Sequence, residues 1–194
     1  MKNEYFLGVR VNGRLYVHLN LFLSELIQDN KRYKLSPIFP LRATLKTPFR
    51  ASLQEIVDFE KRFERFVKES SQYRFSARPE CFEKNGSTTL VASFCEEVKQ
   101  RLSQISREIT AFLEEEFPSI THVRVPGGEK VVHHIPLLKG EIEEDLLRFA
   151  KNSEGPYLSE FLIFERIVLF EKKQGLWREK SVFVLPERSK VAVA

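Results

Sequence analysis

Cysteine, methionine and tryptophan are all scarce in this chain. Two cysteines, Cys81 and Cys95, are too few and too widely spaced for a zinc ribbon or a disulfide framework. They read as small buried hydrophobes in a reducing compartment. Long apolar runs are missing as well. No segment approaches the roughly 20 residues needed to span a bilayer, and Asn3, Glu4, Arg10 and Arg14 break up any signal-like start. The expectation is a soluble, cytoplasmic protein without a membrane partner. Concentrated basic blocks are missing too: the densest is Asn30-Lys31-Arg32-Tyr33-Lys34. A net charge of +4 with a pI near 9.0 permits an anionic partner without demanding a dedicated duplex binder.

What is present is apolar volume. The 194 residues are 42% hydrophobic and include 17 Phe, enough to fill a substantial core. Residues 4–11 read as a strand ending at an Asn12-Gly13 turn, and 14–29 as a helix with Leu15, Leu19, Phe22, Leu23 and Leu26 on one face. A loop over 29–40 follows. Ser52 and Glu55 have capping-box spacing, and Ile56, Phe59, Phe63, Phe66 and Val67 recur at helical period behind them. Residues 73–94 suggest a hairpin or short meander turning at Asn85-Gly86. A long helix carries Val98, Leu102, Ile105, Ile109, Phe112 and Leu113, with Pro118 just beyond it. Gly127-Gly128 reads as a plain turn. A helix over 141–151, a strand over 161–170, a turn at Lys172 to Gly175 and a strand over 176–185 complete the chain. This mixture predicts an α+β fold of helices on antiparallel sheets, taken as one bilobal domain over 1–194.

Two short strands concentrate the chemistry. Along a strand, alternate side chains share a face. Leu41, Ala43 and Leu45 therefore point to a core, with Arg42, Thr44 and Lys46 opposite. His133, Ile135 and Leu137 share a face, with His134 and Pro136 opposite. Side by side, the two strands would form a compact site for an anionic group. Each is followed by an amphipathic helix, a rough internal echo.

Arg42-Ala43-Thr44-Leu45-Lys46-Thr47-Pro48-Phe49 resembles the first His-x-Thr-Leu motif of the two-histidine phosphoesterase superfamily, which includes the 2′-5′ RNA ligase-like proteins. His134-Ile135-Pro136-Leu137 takes the place of the second motif. Phe164 to Phe170 with Gly175-Leu176-Trp177 resembles the family's terminal hairpin, and the element order fits nearly the whole chain. The resemblance implies a bilobal α+β fold with a pseudo-two-fold axis and both motif strands at the base of a groove. It also implies metal-free and cofactor-free chemistry: two histidines act as base and acid on a phosphodiester, often a 2′,3′-cyclic phosphate, and two hydroxyls hold the phosphate oxygens.

The chain departs from that pattern twice. Arg42 stands for the first histidine and cannot be a general base, because a guanidinium keeps its proton. Pro136 stands for the second hydroxyl and offers neither O–H nor N–H. His134 remains as an acid or base, with Arg42 and Thr44 as phosphate ligands. The expectation is recognition of an RNA end, nucleotide or other phosphate ester. As an enzyme, the protein would be a phosphoric diester hydrolase with a degenerate active site. The alternative is a non-catalytic interaction domain whose Arg42 is tied to a carboxylate; a further rival is a rearranged site using His133 or His122. Trp177 and Tyr157 are candidates to stack on a base, and Lys46 to extend the basic floor; the blander expectations are a Trp177 buried in the terminal hairpin, a solvated Lys46 and a solvated Glu114-Glu115-Glu116 helix end.

Overall fold

Strand β1 (Asn3–Arg10) is buried on both faces from Tyr5 to Val9, with Tyr5, Leu7 and Val9 in the main core and Phe6, Gly8 and Arg10 on the other face. It forms the centre of a five-stranded antiparallel sheet in this computed structural model, which describes residues 2–31, 33–86, 88–123 and 133–187. Helix α1 (Gly13–Asp29) follows, then the two-residue strand β2 (Ser36–Pro37), strand β3 (Arg42–Ala51) and helix α2 (Leu53–Lys68). The capping box forms as expected: Glu55 N–H donates to Ser52 Oγ at 3.3 Å, and Ser52 N–H to Glu55 Oε2 at 2.6 Å.

Strand β4 (Phe75–Ala77) precedes a hairpin of β5 (Cys81–Asn85) and β6 (Thr89–Ser93), whose turn contains Gly86 at φ 62°. Helix α3 (Glu96–Glu116), the short β7 (Thr121–His122), β8 (His134–Lys139), helix α4 (Glu144–Asn152) and the single-turn α5 (Glu154–Tyr157) come next. The chain then runs through β9 (Leu162–Phe164), β10 (Arg166–Lys173) and β11 (Leu176–Val184). Gln174 and Gly175, at φ 52° and 79°, join β10 to β11 as a two-residue loop of left-handed residues, which matches strand twist.

The larger sheet has the order β11-β10-β1-β3-β7, the smaller β2-β8-β6-β5, and β4 pairs with β9 alone. The α+β expectation with antiparallel sheets is met. Several details are corrected. Residues 161–170 are two strands, because the chain breaks at Glu165 to send β9 to β4 and β10 to β1. For the same reason β4 leaves the meander read at 73–94. β2 and β7 are too short for periodicity to reveal. The helix read from 141 begins at Glu144, with Ile142 buried ahead of it. The Gly127-Gly128 turn lies outside the described residues.

The helices cross between sheets. Helix α1 leaves the large sheet and lays Phe22 on Phe82 of the small one, with ring centroids 4.2 Å apart. Helix α3 leaves the small sheet and packs on β3, while Phe112 meets Phe59 and Phe63 of α2. Phe59 and Phe63 in turn contact Phe49 and Phe183 of the large sheet. One hydrophobic cluster therefore runs through both sheets.

Candidate functional site

Away from that core, the large sheet's second face carries the first motif. β1 and β3 align Arg10 with Arg42 and Gly8 with Thr44; β1 and β10 align Phe6 with Phe170. Directly opposed residues share a face, so Arg42, Thr44, Phe6, Gly8 and Phe170 form one surface. Its floor is a second, smaller apolar cluster of Phe6, Val168, Phe170 and Trp177. A Cβ on Gly8 would stand 2.8 Å from the Ala43 carbonyl oxygen, so only glycine lets β1 lie this close to β3 beside Thr44.

Arg42 lies over this floor. Its Cζ is 4.5 Å from the Phe6 ring centroid and 6.0 Å from that of Phe170, a cation–π arrangement. Nη1 donates to the Pro40 carbonyl at 2.8 Å, and the buried Nε has no hydrogen-bond partner among the described residues. Burial pulls the guanidinium down to about 10, still well above neutrality. Arg42 is thus a fixed cation, and no carboxylate pairs with it among the described residues.

The second motif lies on β8. Its ladder with β6 pairs Ser93 with His134 and Val91 with Pro136, and β5 extends the rows to Cys81 and Glu83. The register shifts only between Leu90 and Val91, so no bulge exchanges the two histidines. His133 is buried with Ile135 and Leu137, and His134 and Pro136 take the opposite face, as the alternation predicts. His133 Nδ1 lies 3.3 Å from the Thr44 carbonyl oxygen and ties the two motif strands together.

His134 is held well below its ordinary value, at about 4. Burial is the main cause; repulsion by His133 and Lys99 adds to it, and Glu83 partly offsets it. Burial lowers His133 too, against the Thr44 carbonyl. Both imidazoles are therefore neutral at pH 7. The buried His134 Nδ1 lacks a hydrogen-bond partner among the described residues. Around it, the Cys81 thiol donates to Glu83 Oε1 at 3.3 Å, and Ser93 also hydrogen-bonds Glu83. Burial alone would raise Glu83; these bonds and the Lys99 charge lower it instead. Burial, aided by Glu83, pushes the Cys81 thiol up to about 11.

Chemically, the first face offers a cation and a hydroxyl, and the second a neutral imidazole able to accept a proton. Among the described residues, no group of three or more His, Cys, Asp or Glu side chains is arranged to hold a metal. Lys46 is corrected from solvated to buried, because the β1–β3 register slips between Leu7 and Gly8 and turns both Leu45 and Lys46 inward. Trp177 is only partly buried rather than fully buried: it lines a surface cavity and packs edge-on to Phe6 with centroids 4.7 Å apart. Both cysteines are partly exposed, not buried. Tyr157 packs on Phe22 and bonds Glu25, on the helical side. Periodicity could not reveal Phe6, Phe170, Ser93 or Glu83, since only strand register brings them to the motif residues.

No protein-family model matches the sequence, and no curated protein matches it in sequence. Solved structures do match in fold. E. coli LigT in apo form superimposes with a TM-score of 0.66 at 12% identity, covering 96% of this chain and 99% of LigT. LigT complexed with 3′-AMP gives 0.64 at 12% identity, covering 96% and 99%. Kluyveromyces marxianus Usb1 gives 0.52 at 14% identity over 95% and 98%. The chain has a LigT-like fold. No described helix is long and apolar enough to cross a membrane.

Proposed function

We propose that this protein binds a phosphate ester, an RNA end or a nucleotide, between its two motif strands, with Arg42 and Thr44 as phosphate ligands and His134 as the single proton-transfer group. The observation that carries this reading is the state of Arg42: a half-buried cation on the first motif strand, without a carboxylate partner among the described residues and with Nε uncommitted. Such a group is suited to clamp an oxyanion. The same observation weighs against the interaction-domain alternative, which needs Arg42 neutralised. LigT, of the same fold, has been solved with 3′-AMP, ATP and NADP+, which supports a nucleotide-like ligand here.

Hydrolysis of a cyclic phosphate needs one group to activate water and another to protonate the leaving oxygen. Arg42 can serve as neither base nor ready acid, and loss of one proton-transfer group costs about 10²–10⁴-fold in rate. Pro136 adds no oxyanion donor. The function is therefore recognition, with at most slow phosphodiester hydrolysis through His134.

Titration calorimetry with 3′-AMP, beside an assay on nucleoside 2′,3′-cyclic phosphates, tests this. Saturable binding that Arg42→Ala weakens by roughly 10- to 100-fold supports the reading. Turnover that His134→Ala abolishes shows that hydrolysis survives. No binding and no turnover by a folded protein overturns the reading in favour of an interaction domain.

A further inference from the structure

On the β10–β11 side of Arg10, the large sheet and the start of α1 enclose a cavity of about 300 Å³, lined by Gly13, Tyr16, Ile163, Val168 and Val182 among others. Neither Arg42 nor Thr44 lines it. Apolar side chains continue around its mouth. Val184 follows Val182 on one face of β11, opposite the buried Phe183, and Phe161 stands two residues before Ile163. An ion pair between Arg14 and Glu160 at 3.9 Å ties the first turn of α1 to the segment that carries Phe161. Val17 stands one turn beyond Gly13 on that helix. Eleven large hydrophobic side chains are exposed among the described residues, and six of them, Tyr16, Val17, Phe161, Ile163, Val182 and Val184, gather here. Exposed apolar surface concentrated in this way marks an interaction site.

The charges on the rim decide what can cover it. Arg10 is paired with Glu179 at 2.7 Å, Arg14 with Glu160, and Arg166 with Glu165 at 3.5 Å. Three arginines meet three glutamates, so the rim is balanced although the whole chain carries +4. An RNA strand or an anionic membrane would need unpaired cations, and a strongly charged protein would find no field to steer it. A balanced surface is complementary to itself, since a two-fold axis sets the three arginines of one copy against as many glutamates of the other. The shape is self-complementary as well. Phe161, 56% exposed, protrudes beside a hollow walled by Ile163, Val168 and Val182.

We infer that this face is an isologous contact between two copies of the chain, in which Phe161 of each copy enters the cavity of the other between Ile163 and Val182. Aromatic and aliphatic side chains form its centre and the paired charges its rim, the ordinary anatomy of a protein interface. The contact uses neither Arg42 nor Thr44, so it stands independently of phosphate binding.

Sedimentation velocity of the full chain over a range of concentrations tests this. Expected is a monomer–dimer equilibrium that persists at high salt, because salt screens charges and not apolar contacts. Phe161→Asp and Val182→Asp should each weaken the dimer by about tenfold or more, with an unchanged circular dichroism spectrum. Leu53→Asp, which alters an exposed leucine on α2 across the sheet, should leave the dimer intact. A chain that stays monomeric at about 100 μM overturns the inference, as does a dimer that survives both substitutions. A monomer that floats with phosphatidylcholine vesicles overturns it in favour of a lipid surface.

Discussion

The two motif faces are built alike and furnished oppositely. Each is the non-core side of an antiparallel ladder, with its motif residues two apart on one strand. On β3 the motif residue is a permanent cation laid across aromatic rings; on β8 it is an imidazole kept neutral by burial, with Glu83 in the adjoining row. One face carries a fixed charge and the other a neutral imidazole. Under the proposed function, the two tasks that a pair of equivalent histidines would share are divided between these faces, which favours holding a phosphate over turning it over.

The largest test of this division uses pH. His134 has a folded-state value near 4, below its ordinary one, so between those values the unfolded chain binds more protons than the folded one. Stability should be full above about pH 6.5 and fall as the pH drops toward 4, by on the order of 3 kcal/mol. His133, lowered in the same direction, adds to the slope. Urea denaturation at pH 7 and pH 4.5 should show the loss, and His134→Asn should flatten it; an unchanged slope would mean that His134 is not buried as described.

Next in size is the cation. Arg42→Ala should weaken 3′-AMP binding by roughly 10- to 100-fold, as charged hydrogen bonds of about 1.5–3 kcal/mol imply. Arg42→Lys should recover only part, since an ammonium lacks the planar fork of donors that a guanidinium offers over Phe6. Calorimetry distinguishes these from His134→Ala, which should cost less affinity than Arg42→Ala.

A smaller effect tests the floor between Arg42 and Thr44. Gly8→Ala places a methyl against the Ala43 carbonyl and should cost about 1–3 kcal/mol, with weakened ligand binding, while the His134 titration followed by NMR stays in place. The smallest concerns the second face alone. Glu83 helps hold the Cys81 thiol protonated, so Glu83→Gln should raise the thiolate fraction and speed alkylation of Cys81 a few-fold. The same variant should lower His134 further, because Glu83 is the charge that favours its protonated form.

Much of this division could be read from residues alone. Alternation placed Arg42, Thr44, His134 and Pro136 on non-core faces, and burial of His133, Ile135 and Leu137 matches that reading. The helices were legible because their stripes are long: Ile56, Phe59, Phe63 and Val67 are all buried as the period implies. What failed was anything set by pairing between distant strands. Lys46 turned inward because of a register slip against β1, and residues 161–170 split because their two ends have different partners. Ser93 and Glu83 reach His134 only through a ladder that no local pattern encodes. The aromatic floor under Arg42 likewise joins Phe6 to Phe170, 164 positions apart, through one ladder pair.

The crossed helices have a mechanical consequence. Each sheet is covered by a helix that begins at the end of a strand of the other sheet, so neither lobe can lose its cover without exposing its neighbour. The chain should therefore melt in a single calorimetric transition, with equal van't Hoff and calorimetric enthalpies. A hinge that let the lobes swing apart would have to break a shared interior. Under the proposed function, the space between the motif strands is then a fixed mould that selects a ligand by fit, and 3′-AMP binding should leave amide exchange in the core helices unchanged.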